Sequence, residues 1–399
     1  MLAARDTIAW MTIRWIPCAL AALCLAIVDL PAQKKPKAGG KGHQERFANG
    51  LPSDPEYFPI AVWLQAPHNV QRYQEIGVNL FVGLWDGPTA AQLEVLEKAG
   101  MKVICAQNEV GLAHKGKAIV GWMHGDEPDN AQARQDGGYG PPIAPHAIVA
   151  SYEKLHKADP TRPVLLNLGQ GAAWDGWYGR GDRTNHPEDY AEYLKGCDIA
   201  SFDIYPVTHR HKDVKGRLDI VGRGVQRMRG WSQEQKPIWA CIETGHVDNA
   251  DARPTADQVR SEVWIAIASG ASGIVYFAHE FQPKFVEAGL LEHAEIAAAV
   301  KAVNGEVLAA AKALNAPLAP EAVVLADDSA AIAVRVHRLG DEVHVFAASL
   351  QANAAKVTFR VAKQKGKQVE VVGEQRTLAI ESGKFDDEFA GYAFHHYRL

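Results

Sequence analysis

Cysteine is scarce in this 399-residue chain, and its distribution argues against both disulfide bonds and a structural zinc site. Of the five cysteines, Cys18 and Cys24 lie in an apolar stretch near the amino terminus. Cys105, Cys197 and Cys241 lie in or beside apolar runs, and the sequence contains no Cys-x-x-Cys motif or Cys/His cluster. An odd number of cysteines in apolar surroundings is typical of buried thiols. The sequence therefore argues against a disulfide framework and against a structural zinc site.

An excess of positive charge is also missing. The formal net charge is −5, and several of the basic residues fall in a single stretch within residues 33–50. Nucleic-acid binding and polybasic membrane attachment both need clustered lysine and arginine on the folded surface. We therefore expect no nucleic-acid partner, and the acidic balance suits a neutral or cationic substrate.

Residues 1–32 have the features of a secretory signal peptide. Arg14 precedes an apolar run over residues 15–28, and a small residue, Ala32, stands before a polar tail. A positive start, a short apolar run and a small residue are the parts of such a signal. The alternative is an uncleaved anchor helix, for which the run is short. We expect a secreted or periplasmic protein with no stable membrane insertion after cleavage, followed by a flexible Lys/Gly-rich linker over residues 33–50.

From residue 51 onward, apolar runs alternate with helical patterns. Such runs, separated by helices that often end in glycine, are typical of parallel strands covered by helices. Eight units in about 260 residues fit a closed (β/α)8 TIM barrel, which we predict over residues 51–317. An open doubly wound sheet is the alternative, but no glycine-rich phosphate loop follows the first strand. The eight predicted strands begin near Tyr57, Asn79, Lys102, Ile119, Arg162, Ile199, Pro237 and Gly273.

After Pro320 the apolar pattern changes to a period of two residues. The segment from Ala331 to His337 alternates, a Gly340-Asp341 turn follows, and Val343 begins a second alternating segment. This pattern is typical of an antiparallel hairpin. Residues 318–399 are therefore predicted to form a small C-terminal antiparallel β-sandwich domain.

Two glutamates stand where strongly apolar strands end. Glu127 follows the fourth predicted strand and Glu243 ends the seventh. In a barrel, these positions lie on the face that carries the active site. Hydrolysis of a glycosidic bond needs one protonated and one ionised carboxyl group, which such a pair can supply. The structural alternative is that Glu127 precedes a proline-started helix and Glu243 caps a turn.

Other side chains on the same face are suited to sugar binding. Flat aromatic rings pack against the C–H faces of pyranose rings, and Trp174 and Trp177 lie in a glycine-rich loop where a core role is less natural. Trp63, Trp122 and Trp239 can instead fill the barrel. The predicted substrate contacts are Trp85, Asp126, Asn167, Trp174, Trp177, Asp203, His246, His279 and Glu280.

These motifs resemble those of clan A, the retaining (β/α)8 glycoside hydrolases. The resemblance rests on a Glu after strand four, a Glu after strand seven, the Asp203-Ile-Tyr-Pro206 motif and an aromatic-rich last strand from Tyr392. It implies that Glu127 is the acid/base, that Glu243 is the nucleophile and that Tyr205 orients the nucleophile, with no cofactor. The clan usually has Asn immediately before the acid/base Glu, and this chain has Asp126 there.

The strand-eight Trp that is common in clan A also has no obvious counterpart here. Phe277 or His279 stands in that region instead. No single family within the clan is assigned from these motifs.

We therefore predict an exported glycoside hydrolase that acts on an oligo- or polysaccharide by a two-carboxylate retaining mechanism. A non-catalytic carbohydrate-binding barrel is one alternative, and a metal-dependent hydrolase on the same fold is another. The second would draw on several histidines, but the first strand lacks a His-x-His motif and His209-Arg-His211 falls in a loop. We expect no metal site, and the sequence indicates no oligomeric state.

Overall fold

A computed structural model describes residues 47–327, 330–362 and 366–399. The predicted signal peptide and nearly all of the predicted linker lie outside these residues. Among the helices that are described, none is long and apolar enough to cross a membrane.

The first half of the fold is a closed barrel of eight parallel strands. Each strand pairs with the next along the chain, and β8 pairs with β1 to close the ring. The predicted (β/α)8 barrel is therefore confirmed. Its strands are β1 Ile60–Trp63, β2 Leu80–Val82, β3 Lys102–Ala106, β4 Ile119–Met123, β5 Val164–Leu168, β6 Ile199–Phe202, β7 Ile238–Glu243 and β8 Ile274–Phe277.

Helices connect the strands and cover the outside of the barrel. The Thr89 and Thr255 side chains each accept a hydrogen bond in a capping box, at the starts of α2 and α7. Gly100 ends α2 with φ of 69°, a conformation that glycine adopts without steric cost. The helices are α1 Val70–Glu75, α2 Ala90–Ala99, α3 Glu109–Ala113, α4 Pro145–Ala158, α5 Asp189–Tyr193, α6 Asp219–Trp231, α7 Ala256–Ala268, α8 Gly289–Glu292 and α9 Ala294–Leu314.

Alternation along the strands divides the core of the barrel into two layers. On β7, Trp239 and Cys241 belong to the cluster inside the barrel, whereas Ile242 belongs to the layer between strands and helices. Trp63 also lies in the inner cluster, while Trp122 lies in the outer layer. Trp63 and Trp239 therefore fill the inside of the barrel, whereas Trp122 packs between the strands and the helices.

Two antiparallel sheets follow the barrel. Their strand orders are β10-β11-β16-β13-β14 and β15-β12-β9, and α7 of the barrel packs against the larger sheet through Trp264, whose ring stacks on Phe394 at 3.9 Å. A C-terminal antiparallel β region is thus confirmed. Its strands are β9 Val323–Leu325, β10 Ile332–Leu339, β11 Glu342–Ser349, β12 Ala355–Val361, β13 Gln368–Val371, β14 Arg376–Ala379, β15 Lys384–Phe389 and β16 Phe394–Arg398.

Candidate active site

The loop after β4 is held in an unusual conformation. Glu127 has φ of 41°, in the left-handed region that residues other than glycine seldom adopt. Two residues later, the buried Asp129 carboxylate accepts hydrogen bonds from the Gly169 amide at 2.9 Å and the Tyr190 hydroxyl at 2.7 Å. These bonds tie the loop to the segment after β5 and to α5. Backbone strain of this kind persists only where the surroundings impose it, which is frequent at functional sites.

Asp126 is connected to the interior of the barrel through β5 and β6. The Asn167 amide donates to Asp126 Oδ1 at 2.9 Å, and Asn167 Oδ1 accepts from the Ser201 hydroxyl at 2.7 Å. Solvent reaches Asp126, while Asn167 is buried. Asn167, predicted as a sugar contact, therefore uses its amide to position Asp126.

Glu127, Asp203 and Tyr205 form the centre of an acidic cluster. The Tyr205 hydroxyl donates to Asp203 Oδ2 at 2.9 Å, and the Glu127 carboxyl group lies close enough to Asp203 for each to shift the pKa of the other. Burial, followed by the nearby charge of Asp126, raises the pKa of Asp203 to about 7. Burial and the neighbouring Asp203 raise the pKa of Glu127 well above its ordinary value. Two carboxyl groups with shifted pKa values are a common feature of acid-base sites.

Glu243 ends β7 in a different environment. Its carboxyl group is fully buried and accepts hydrogen bonds from the backbone amides of Val207 at 2.5 Å and Thr208 at 3.0 Å. Burial raises the pKa of Glu243 to about 7. The hydrogen bonds found in the described part of the chain join Glu243 to this turn and do not join it to Glu127 or Tyr205. The Tyr205 hydroxyl, which the resemblance assigned to orienting Glu243, is bonded to Asp203.

One aromatic cluster borders the acidic cluster on the side of β5 and β6. Trp177 and Tyr178 lie 4.7 Å apart between ring centroids, and Trp174 lies 4.5 Å from His211. Tyr178 is 67% exposed, whereas Trp174 is largely buried. The Trp177 indole N–H donates to Asn130 Oδ1 at 2.8 Å, and the Asn130 amide donates to Glu127 Oε2 at 2.8 Å. This aromatic surface is therefore linked to Glu127 through the Asn130 side chain.

A second aromatic cluster lies on the side of β8 and β2. It begins at Phe277, whose ring is 5.0 Å from that of Tyr205, and it continues to Phe281 at 5.9 Å. Trp85 stacks on His279 at 5.7 Å and meets Phe285 edge-on. Trp85, Phe281 and Phe285 are exposed. Aromatic surfaces thus approach the acidic cluster from two directions.

Two further predicted contacts, His246 and Glu280, hold loops together. Glu280 Oε1 lies 2.9 Å from His293 Nε2 and accepts a long hydrogen bond from the His246 amide at 3.4 Å. His246 Nδ1 lies 2.8 Å from the Ala252 carbonyl oxygen. These bonds connect the loop after β7 with the segment that leads to α8.

The histidines considered for a metal site contact protein oxygens. His124 Nε2 lies 2.8 Å from the Gly196 carbonyl oxygen, His209 Nε2 lies 2.9 Å from Gln170 Oε1, and His279 Nε2 lies 2.9 Å from the Leu64 carbonyl oxygen. Within residues 47–327, 330–362 and 366–399, no three His, Cys, Asp or Glu side chains are grouped so that they could hold a metal ion.

The sequence did not single out Asn130, Asp129 or Tyr190. Asn130 follows Glu127 by three residues and its amide bonds the Glu127 carbonyl at 3.1 Å, so proximity in the chain was an available signal. Tyr190 reaches Asp129 from 61 positions away, and no local pattern indicates that contact.

Comparison with protein families gives one match that bears on this site. Residues 142–315 match the model of a glycoside hydrolase family described as beta-galactosidase. The match covers less than half of the chain and includes Asp203, Tyr205 and Glu243, while Glu127 lies before it. It agrees with the expected resemblance to clan A glycoside hydrolases and supports glycoside hydrolase chemistry, with no single family assigned.

Solved structures of low sequence identity share the fold. AmyP in complex with maltose matches with a TM-score of 0.53 and 10% identity, covering 86% of this chain and 96% of that chain. An α-galactosidase candidate from Bacteroides fragilis matches with a TM-score of 0.50 and 10% identity, covering 86% and 79% respectively. At this identity the similarity establishes a shared architecture. A comparison with curated proteins gives no match.

Proposed function

We propose that the chain is an exported glycoside hydrolase that cleaves an oligo- or polysaccharide with two carboxyl groups and with retention of configuration. The observation that carries this proposal is the position of Glu127, whose carboxyl group lies in an acidic cluster after β4, between two aromatic clusters. The aromatic rings are suited to packing on sugar faces, and the acidic cluster is suited to proton transfer to a glycosidic oxygen.

Glu127 acts as the acid/base in this proposal. Burial and the neighbouring Asp203 raise the pKa of Glu127 well above its ordinary value, which favours the protonated form of its carboxyl group. A retained proton is what the departing glycosidic oxygen requires when the C–O bond breaks. Asp126 and Asp203 lie near this group. Together with Asn167 they are proposed to contact the sugar, as are the remaining predicted side chains, which are Trp85, Trp174, Trp177, His246, His279 and Glu280.

Glu243 is the proposed nucleophile, supported by its position at the end of β7 and by the match over residues 142–315. Its carboxyl group is enclosed by the Val207–Thr208 turn, so attack on a sugar requires this turn to move when substrate binds. The Val207 and Thr208 amides, which already donate to this carboxyl group, can orient it before attack.

Export to a secreted or periplasmic location is proposed from residues 1–32. Expression of the full chain in a Gram-negative host, followed by amino-terminal sequencing of the periplasmic protein, measures the cleavage position. Cleavage near Ala32 supports export, and an intact amino terminus in the membrane fraction contradicts it.

Hydrolysis is tested with 4-nitrophenyl β-D-galactoside, a panel of other aryl glycosides and a set of oligosaccharides. We expect Glu127→Gln to lower kcat/KM on oligosaccharides by about 10²–10⁴-fold, the range for loss of a general acid. Glu94→Gln changes an exposed glutamate on α2 and serves as the matched control. The configuration of the first product, measured by proton NMR, distinguishes retention from inversion.

Three outcomes would change the proposal. Binding of oligosaccharides without turnover by the unaltered protein would favour the carbohydrate-binding barrel. Full activity of Glu243→Gln together with loss of activity in Asp203→Asn would make Asp203 the second carboxyl group. Loss of turnover on treatment with a chelator, restored by a divalent cation, would favour the metal-dependent hydrolase.

A further inference from the structure

A cleft lies at the amino-terminal ends of the barrel strands, where the barrel meets the C-terminal sheets. Its volume is about 390 Å³, and its walls include Pro163, Ile199 and Pro237, which stand at or directly before the starts of β5, β6 and β7. Arg335 and His337 of β10 line it from the C-terminal sheet. The proposed active site follows the opposite ends of the strands, so this cleft is a separate place in the fold.

The alternation of side chains along β10 directs Arg335 toward the barrel. Successive residues of a strand point to opposite faces of the sheet. Ala333 packs in the cluster that the sheet shares with the barrel, whereas Val336 packs between the two antiparallel sheets. Arg335, two positions after Ala333, therefore lies on the face turned to the barrel, where it lines the cleft.

The positive charge of Arg335 is not compensated. In the described part of the chain, its guanidinium group forms neither an ion pair nor a hydrogen bond. The charged groups nearest to it are Arg229 and Glu234, and the Glu234 carboxylate is already paired with Arg229. Removal from water, followed by the charge of Arg229, lowers the pKa of Arg335 to about 10, so the group is still cationic at neutral pH. Arginine in such surroundings usually has an anionic partner.

The rest of the cleft is mostly apolar. Leu51, Ile199 and Trp239 contribute to its walls, and none of the described residues that line it is acidic. His337 Nδ1 lies 2.8 Å from the Ala316 carbonyl oxygen, and burial lowers the pKa of His337 to about 4, so its ring is neutral at neutral pH. The cleft thus combines one cation with apolar surface, and its volume lies in the range of small-molecule sites, about 300–1,000 Å³.

We propose that this cleft binds one small amphipathic carboxylate, whose charged end accepts hydrogen bonds from the Arg335 guanidinium group and whose apolar part lies against Leu51, Ile199 and Trp239. The paired N–H groups of a guanidinium match the two oxygens of a carboxylate. A single guanidinium group with apolar walls is less suited to a phosphate dianion. This site goes beyond glycoside hydrolysis and does not depend on the proposed function.

Isothermal titration calorimetry of the full chain with octanoate tests the site, with octanamide as the uncharged control of similar size. We expect one octanoate per chain and a Kd about 10-fold or more below that of octanamide, because a hydrogen bond to a charged group is stronger than one to a neutral group. In the series acetate, butanoate, hexanoate and octanoate, affinity should rise with each added methylene, since the apolar walls remove the chain from water.

Arg335→Gln tests the residue that carries the proposal. We expect this substitution to raise the Kd of octanoate about 10–100-fold and to leave that of octanamide nearly unaltered, because only the charged ligand loses its partner. Arg338→Gln is the matched control: Arg338 lies on the same strand, is exposed and does not line this cleft. It should leave both Kd values unaltered.

Equal binding of octanoate and octanamide, absence of octanoate binding, or an octanoate Kd that Arg335→Gln leaves unchanged would each overturn the proposal. A dimer of the unaltered protein in sedimentation equilibrium that Arg335→Gln dissociates would also overturn it, because the cleft would then hold a second copy of the chain. If Arg335→Gln does not fold, the comparison of octanoate with octanamide on the unaltered protein still decides, since equal affinity excludes a role for the charge.

Discussion

At the scale of single residues, Asn130 connects the acidic cluster to an aromatic surface. Its amide donates to Glu127 Oε2 and its carbonyl oxygen accepts from the Trp177 indole, both at 2.8 Å. One side chain thus sets the orientation of the proposed acid and of an aromatic ring. Supporting bonds of this kind keep catalytic groups within the narrow range of geometry that reaction requires.

We expect Asn130→Ala to lower kcat/KM by about 10–100-fold, because one hydrogen bond to an ionisable group contributes about 1.5–3 kcal/mol. Steady-state kinetics on an oligosaccharide measure this change. Asn353→Ala, at an exposed position in the C-terminal region, is the matched control and should leave kcat/KM unaltered. Unchanged kinetics in Asn130→Ala would mean that Glu127 is positioned without this amide.

Asp126 is the residue at which this chain differs from the clan that it resembles. The structure shows why an acidic side chain is accommodated there: Asp126 Oδ1 accepts from the Asn167 amide, which is itself oriented by Ser201. The Asp126 carboxylate also adds to the negative charge that raises the pKa of Glu127. An asparagine at this position could not supply that charge.

At the scale of secondary-structure elements, α7 carries an unpaired carboxyl group beneath the active-site face. Glu262 is fully buried, and neither of its carboxyl oxygens has a hydrogen-bond partner among the described residues. Burial, followed by the nearby Glu243, raises the pKa of Glu262 well above its ordinary value. Since α7 packs against β7 and the C-terminal sheet, this group lies where a hydrophobic side chain would normally be found.

This arrangement makes stability depend on pH. Because the pKa of Glu262 is higher in the folded protein than in the unfolded chain, the folded state holds the proton more tightly. The Glu262 contribution to the free energy of unfolding therefore decreases as pH rises from the ordinary glutamate pKa of 4.5 toward the raised value in the folded protein.

We expect Glu262→Met to increase the free energy of unfolding by about 1–4 kcal/mol at pH 8, and by less at pH 5, as for other replacements of buried charges by apolar side chains. Urea unfolding at the two pH values measures the difference. Glu153→Met, at an exposed position on α4, should change stability by less than about 0.5 kcal/mol. A loss of stability in Glu262→Met at pH 8 would show that Glu262 has a stabilising partner.

At the scale of the whole molecule, the barrel and the C-terminal sheets share a hydrophobic core. Trp264 on α7 stacks on Phe394 of β16 at 3.9 Å and lies 6.1 Å from Phe346 of β11. Phe394 is 6% exposed, so its ring is largely removed from water by this contact. The sheet therefore covers an apolar helix face that the barrel alone would leave open to solvent.

We expect Phe394→Ala to lower the free energy of unfolding by about 3–5 kcal/mol, the usual cost of removing a buried phenylalanine ring. Because Trp264 belongs to the barrel, urea unfolding followed by tryptophan fluorescence should report the loss in the barrel as well as in the sheet. Phe285→Ala removes a half-exposed ring and is the matched control. An unchanged barrel transition would mean that the two parts unfold independently.

Much of this architecture could be predicted from local patterns. Apolar runs with glycine-ended helices between them predicted all eight barrel strands, because burial on both faces leaves few polar positions in a parallel strand. The capping boxes at Thr89 and Thr255 are likewise local, since each depends on residues three positions apart. The same reasoning predicted that Glu127 and Glu243 lie where strands end.

Only the tertiary structure decided which of these groups meet. The sequence by itself determined the barrel, its active-site face and the presence of carboxyl groups on that face, because each depends on short-range periodicity and strand direction. It did not determine that Asp203 lies near enough to Glu127 to raise its pKa or that Glu243 is bonded to the Val207–Thr208 turn. Those contacts depend on the curvature of the sheet and on the path of long loops, which join residues tens of positions apart and leave no local pattern.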